Sequence, residues 1–297
     1  MKRTQIVTHL MPSELEDYSN ILDNFKQGSK YLDSNDWISI QSTLNLSPML
    51  IDWDNSKIQK EVFKKYFYKL KEKCNWANEI VFEVIEDDSI LGTTSQKRKA
   101  IKENYDQFIL LDGDMIFHET TLKYMLNTSY QVSGKYIITP QIVRLWDTSW
   151  DILVHKDYKH IEPKKNGYYR EHHPDLTLNQ NIDEVYVSLA PYIKFGCGWF
   201  TLISKELLDL TGIPEFLGHY GPEDTFTMMA SEIAKKKGHQ INQYILNGIL
   251  VSENKIYRKD FNADKLKYHD YKDNFREQAW SQFETGLKEF KLKCKQI

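Results

Sequence analysis

The chain has 297 residues, 41% of them hydrophobic and 13% aromatic, enough to pack a core as one large α/β domain or two small ones. A net charge of −3 and a pI near 6.3 give no extended cationic surface, so nucleic acid is not an expected partner. Cys74, Cys197 and Cys294 lie far apart without a paired spacing, which argues against a disulfide framework or a zinc module and for a reducing compartment. In chain order, TQIVTHL predicts a first strand and SELEDYSNILDNFKQG a helix opened by Ser13, with an acidic first turn. DWISIQSTL predicts a second strand, Ser56 to Cys74 a helix, NEIVFEVIE a third strand and Thr94 to Tyr105 a further helix. Gln107 to Leu111 predicts a strand delivering Asp112-Gly113-Asp114. Alternation of strand and helix implies right-handed crossovers and a mainly parallel sheet, whose ligands sit at the C-terminal strand ends.

Between Pro140 and Pro191 the periodicity fails, and the stretch is rich in aromatics, histidine and charge. A long aperiodic stretch inside a domain reads as a functional loop, with Trp146, Trp150, Tyr168 and Tyr169 as candidate stacking surfaces. His155, His160, His172 and His173 lack a helical metal-pair spacing and predict no zinc site. Gly196-Cys197-Gly198-Trp199 then precedes the strand WFTLIS, Ser204 reads as a helix cap, and Gly212 as the end of KELLDLTG. Gly221-Pro222-Glu223-Asp224 opens another helix, since Pro and acids suit a first turn. From about Asp264 the chain is strongly charged, yet Trp280, Phe283, Leu287 and Phe290 share one helical face, which predicts packing across the domain surface.

Two groups of acids carry the chemistry. Asp112 and Asp114 repel each other unless a cation is near, and a divalent ion with phosphate oxygens suits such a pair. Gly113 frees the backbone for close approach. Glu223 and Asp224, at a helix start beneath a glycine-containing loop, are placed to take a proton from a hydroxyl. A turn for the first pair and a helix start for the second are the plain structural alternatives.

The strand ending in Asp112-Gly113-Asp114, followed by FGCGWFTLISKELLDLTGIPEF and YGPEDTF, resembles the metal-dependent glycosyltransferases of the GT-A fold. It is most similar to the inverting family-two enzymes and to galactosyl- and N-acetylgalactosaminyl-type transferases with a late Gly-x-Glu-Asp motif, over roughly residues 4 to 255. The resemblance implies a Rossmann-like α/β domain over 1–255, with 1–115 the nucleotide-sugar half, 116–255 the acceptor half and 256–297 a helical extension. It implies Mn2+ or Mg2+ as cofactor, a nucleotide-sugar donor, taken as a UDP-sugar, and a glycan or other hydroxyl acceptor. Asp114 would then ligate the metal and Asp112 would meet the ribose or a metal-bound water, with Glu253 as a third metal ligand where relatives often have histidine. Asp224 would be the catalytic base of an inverting reaction, Glu223 would bind the acceptor, and Gly198 and Trp199 would form the floor beneath a sugar.

Thr8, His9, Asn45, Glu86, Asp87 and Asp88 follow the first three strands and are candidate base and ribose contacts. The family's acidic residue after the second strand is here replaced by Ser42-Thr43-Leu44-Asn45. GTTSQKRKA resembles the family's Gly-x-x-x-Ala-Arg-Asn segment, which puts Lys97 or Arg98 at its arginine, with Arg98 taken as the diphosphate contact. Lys255 and Arg258 are further candidates for neutralising the diphosphate. A phosphohydrolase using the same Asp-x-Asp is the competing enzyme class, but its motif belongs near a domain's start. A noncatalytic sugar-nucleotide module is the other alternative. The N-terminus is too polar for a signal peptide and no run of eighteen apolar residues occurs, so a cytoplasmic protein is expected. Lipid-linked acceptors are common among bacterial glycan enzymes, which leaves peripheral contact at the inner membrane face as an alternative.

Overall fold

The computed structural model describes residues 2–55, 59–101, 104–142, 185–193, 200–253 and 268–294. Strands β1 (Arg3–Leu10), β2 (Trp37–Asn45), β3 (Glu79–Ile85) and β4 (Gln107–Asp112) pair in parallel in the order β3-β2-β1-β4. This half follows from sequence: each strand is a short run of β-branched and apolar residues, and the segments between β1 and β2, β2 and β3, and β3 and β4 carry helices α1 (Leu15–Gly28), α2 (Lys60–Leu70) and α3 (Thr93–Ala100). The first helix begins at Leu15 after a 3-10 turn over Pro12–Glu14, and the turn is closed by the Glu14 carboxylate accepting from the Met11 N–H at 2.7 Å rather than by Ser13. Predicted boundaries for α2 and α3 were longer than the helices found; α3 stops at Ala100, well short of Tyr105.

The other half of the sheet is mixed. After β5 (Met115–Phe117), α4 (Thr121–Tyr130), β6 (Lys135–Ile142) and β7 (Tyr186–Leu189), strand β8 (Phe200–Ser204) inserts antiparallel beside β4. Helices α5 (Lys205–Thr211) and α6 (Glu223–Lys236) then lead to β9 (Ile241–Glu253), which runs parallel to β6 and antiparallel to β5 and β7. The full order is β3-β2-β1-β4-β8-β6-β9-β5, with β7 also on β9. Hence the parallel half carries the first acidic motif, and antiparallel β8 closes the sheet on its other side.

Both faces of the sheet are covered, and side-chain alternation divides the core accordingly. Ile6, Leu10, Ile40, Leu44, Ile109 and Leu111 pack with α1, α2 and α4, whereas Val7, Phe108, Leu110 and Ile203 meet Ala100, Leu207 and Met228 from α3, α5 and α6. Ser204 caps α5 by accepting from the Leu207 N–H at 3.3 Å, and Gly212 ends it at φ 66°, as the sequence predicts. The final helix α7 (Tyr268–Lys293) lays Ala279, Phe283 and Leu287 on Leu217, Phe226 and Ala230, so the predicted apolar face is buried against the domain itself. Trp280 stands at the margin, 48% exposed, with its ring centroid 4.7 Å from that of Phe283. Among the described residues no helix is long and apolar enough to cross a membrane.

Candidate functional site

Strand β4 ends the parallel half at its centre, so Asp112 emerges at the C-terminal edge where the alternating topology predicts a ligand. Leu110 and Asp112 share the face covered by α3. Two residues later the chain enters β5, so Gly113 and Asp114 form the bend between a central strand and the far edge of the sheet. A Cβ on Gly113 would lie 2.3 Å from Leu10 Cδ2 and 3.4 Å from Glu14 Cβ. The glycine therefore serves packing against the end of β1, which corrects the expectation that it clears space for a ligand. Asp114 is 2% exposed, whereas the Asp112 side chain is 33% exposed, so Asp112 is the carboxylate more open to a solute.

The second acidic motif arrives at the same place. Glu223 and Asp224 form the first turn of α6, where the backbone N–H groups favour negative charge. The Glu223 carboxylate is fully engaged: Thr94 Oγ1 donates to one oxygen at 2.8 Å and Lys97 Nζ to the other at 2.7 Å. Lys97 Nζ also lies 3.6 Å from Asp112 Oδ1, and the lysine is only 3% exposed. One ammonium thus joins acids that are far apart in sequence. Burial alone would lower the Lys97 pKa, but Glu223, Asp112 and Asp224 outweigh it and hold the group above the usual lysine value. Glu223 was expected to bind an acceptor; its carboxylate instead anchors α6 to α3. Asp224, only partly buried, accepts from the N–H and hydroxyl of Thr225 through Oδ1.

Arg98 was the expected diphosphate contact, and its position corrects that choice. Its guanidinium donates to the carbonyls of Ile213, Pro214 and Gly218 at 2.8 to 3.0 Å and pairs with Glu215, clamping the loop ahead of α6. A helix turns about 100° per residue, so consecutive Lys97, Arg98 and Lys99 cannot face one way. Lys97 points to the acids, Arg98 to the loop, and Lys99 to Glu83 at the surface. Nothing in the local string singles out Lys97, because all three positions are basic.

The expected nucleotide contacts divide. Thr8, His9 and Asn45 are buried, and Asn45 Nδ2 donates to the Ile90 carbonyl while meeting His9 Nε2 at 3.3 Å. Asn45 Oδ1 accepts from the Ser47 N–H at 2.9 Å, and the Ser47 hydroxyl donates to Asp88 at 2.6 Å. These contacts pin the loop after β3 over the ends of β1 and β2, an interior role the sequence did not announce. Burial, then the nearby Lys97 charge, pushes His9 down to about 3, so its ring is neutral and Nε2 can accept. Glu86 lies at the surface, paired with Lys60 and with Lys64 on α2, which corrects its expected ribose contact. The 3-residue turn Asp87–Ser89 is closed by the Asp87 carboxylate accepting from the Ser89 N–H at 3.0 Å.

His219 is a further residue that the sequence did not single out. Its carbonyl accepts from the N–H groups of Thr94 and Ser95 at 3.1 and 3.3 Å, capping the start of α3, and its Nδ1 accepts from the Leu91 N–H at 3.2 Å. Burial, then Arg98, lowers its pKa and keeps Nδ1 free of a proton. A cavity of about 470 Å³ lies on this side of α3, lined by Ser89, Ser95, Arg98 and His219 among others.

For a divalent metal the donor set is two carboxylates one residue apart. Among the described residues no group of three histidine, cysteine or acidic side chains is placed to hold an ion. Two carboxylates fit Mg2+ or Mn2+ when diphosphate oxygens and water complete an octahedron. Glu253, the proposed third donor, is paired in register with Met115 across β5 and β9, which sets its backbone beside the acidic bend. Gly198, Trp199, Lys255, Arg258 and the aromatic residues between Pro140 and Val185 that were proposed to stack on sugars lie outside the described residues.

No family model matches the chain, and no curated protein is similar to it in sequence. Among solved structures it is similar to a mycobacterial protein, at 11% identity and TM-score 0.43 over 86% of this chain and 68% of that one. It is also similar to Staphylococcus aureus TarS residues 1–349 in complex with UDP-GlcNAc, at 14% identity and TM-score 0.47 over 85% of this chain and 59% of that one. Against the longer TarS structure the identity is 14% and the TM-score 0.46, and the match spans 42% of that chain. These are distant likenesses, and the chemistry below rests on the site's own geometry.

Proposed function

We propose that this chain is a GT-A-type glycosyltransferase that moves a sugar from a nucleotide diphosphate donor, a UDP-sugar, to a glycan or other hydroxyl acceptor, with inversion. The observation that carries the reading is the convergence of Asp112 and the Glu223–Asp224 turn on Lys97 at the C-terminal edge of the sheet. One acid is then available to the leaving diphosphate side and another to the attacking hydroxyl, with no protein nucleophile needed.

In this mechanism Asp112 and Asp114 hold Mn2+ or Mg2+, with Glu253 as the third donor. When bound, the metal supplies positive charge that stabilises the departing diphosphate. Asp224 accepts the proton of the acceptor hydroxyl as its oxygen bonds to the anomeric carbon. The bond from that carbon to the diphosphate oxygen breaks at the same time, and its electron pair leaves with the nucleotide. Attack opposite the leaving group inverts the anomeric centre. The helix α7 and the loop clamped by Arg98 keep the first turn of α6 in place for this proton transfer.

The test is a panel of nucleotide-sugars assayed with Mn2+ or Mg2+ for thermal stabilisation, calorimetric binding and slow donor hydrolysis. The expected result is metal-dependent binding of UDP and of at least one UDP-sugar. Absence of binding with either metal overturns the reading. Retention of anomeric configuration in the product by NMR overturns the role of Asp224 while leaving the donor chemistry intact.

A further inference from the structure

We propose that Lys97 is a positioning residue, whose buried ammonium fastens the Asp112 end of the cleft to the Glu223 end and thereby sets where Asp224 stands. The inference rests on the nucleotide-sugar reading above and assigns the control of the base to α3.

Three observations carry it. Lys97 is 3% exposed and makes short contacts to acids from two different elements, 2.7 Å to Glu223 and 3.6 Å to Asp112. Glu223 is held from a second direction by Thr94, whose hydroxyl oxygen also accepts from the Gly221 N–H at 2.8 Å, so α3 grips both sides of Pro222. Asp224 follows Glu223 within the same helical turn, so any rotation of that turn carries Asp224 with it. Lys97 and Thr94 are one turn apart on α3, on the face turned toward α6.

The arrangement has an electrostatic consequence. The titratable groups facing Lys97 are Glu223, Asp112 and Asp224, with His9 on the sheet beneath. Removing the ammonium takes a positive charge from beside the base, which favours its protonated form. Removing the Glu223 charge does the reverse, because the ammonium then acts on Asp224 without its closest counter-ion. A purely structural lysine would lower activity or stability without moving the pH profile in opposite directions for the two variants.

The experiment compares the full-length wild type with Lys97→Met, Lys97→Arg, Glu223→Gln and Thr94→Val. The UDP-hexose or UDP-N-acetylhexosamine that the wild type hydrolyses fastest with Mn2+ serves as probe, and kcat and KM are followed against pH. Lys97→Met is expected to lower kcat about 100-fold, the scale of a misplaced catalytic group, and to move the acid limb up by about one pH unit. Lys97→Arg recovers the limb's position. Glu223→Gln moves the limb to lower pH, and Thr94→Val lowers kcat without moving it. Where Lys97→Met does not fold, the opposed shift in Glu223→Gln against wild type carries the test. Limbs that stay fixed in all variants, or move the same way in Lys97→Met and Glu223→Gln, overturn the proposal. A wild type that binds no UDP with Mn2+ and hydrolyses no UDP-sugar removes the underlying reading, and the Lys97 proposal with it.

Discussion

The carbonyl oxygen of His219 occupies the space beside Gly92 so closely that a Cβ there would lie 2.5 Å from it, with the carbonyl carbon at 3.1 Å. Gly92 has an extended backbone at φ −177°, so the glycine answers to this contact and not to a left-handed conformation. The same carbonyl caps α3 through Thr94 and Ser95. Gly92→Ala must push the α6 loop away from α3, and a destabilisation of about 1–3 kcal/mol is expected by urea unfolding. Gly113→Ala meets a leucine methyl group that can rotate aside, so a smaller loss is expected there.

The Lys97–Glu223 pair supports a second measurement, on stability alone. Lys97→Met leaves Glu223 and Asp112 facing a buried apolar group, at an expected cost of about 3 kcal/mol. Adding Glu223→Gln removes one stranded charge, so the double variant should lose about 1–2 kcal/mol less than the sum of the singles. Strict additivity in a denaturant cycle would show that the pair is not coupled.

Asp224→Asn and Asp112→Asn should separate the two ends of the cleft. The first retains Mn2+-dependent UDP affinity while turnover falls by about 100- to 10,000-fold, as expected for loss of a general base. The second loses metal-dependent UDP binding by calorimetry. Identical losses in both assays for both variants would dissolve the division of roles.

His9 makes stability depend on pH. Its pKa is lowered from 6.5 to about 3 in the fold, so the unfolded chain takes up a proton over a range where the folded one does not. Stability therefore falls as pH drops below 6.5, by about 2 kcal/mol at pH 5 from this group alone. His9→Gln should flatten that slope in unfolding curves collected between pH 7 and about 5, within the range where His9 contributes. An unchanged slope would assign the dependence to other groups, such as His118 and His219, which burial also lowers.

The C-terminal helix should matter to the site although it touches none of the acids. Phe283 is 4% exposed and its ring lies 6.0 Å from that of Phe226 on α6, edge to face. Phe283→Ala should cost about 3 kcal/mol and speed amide exchange in the first turns of α6. Unchanged exchange there would separate α7 from the site.

The parallel half of the sheet, the placement of Asp112 at a strand end and the start of α6 at Glu223 were legible in the sequence, because each depends on periodicity and on turn chemistry within a few residues. Gly212 at φ 66° and Ser204 as a cap are of the same local kind. Less legible were the inner roles of Asn45, Ser47 and His219, whose polar side chains look alike in a string whether they meet a ligand or a neighbouring loop.

By itself the sequence determined which segments are strands and helices and that two acidic turns exist, since hydrophobic spacing and backbone preference act locally. Only the tertiary structure decided that Lys97 faces the acids while Arg98 clamps a loop, and that Gly113 packs against Leu10. Those outcomes depend on how far each helix is rotated when it settles on the sheet, and that rotation is set by the packing of all the layers together.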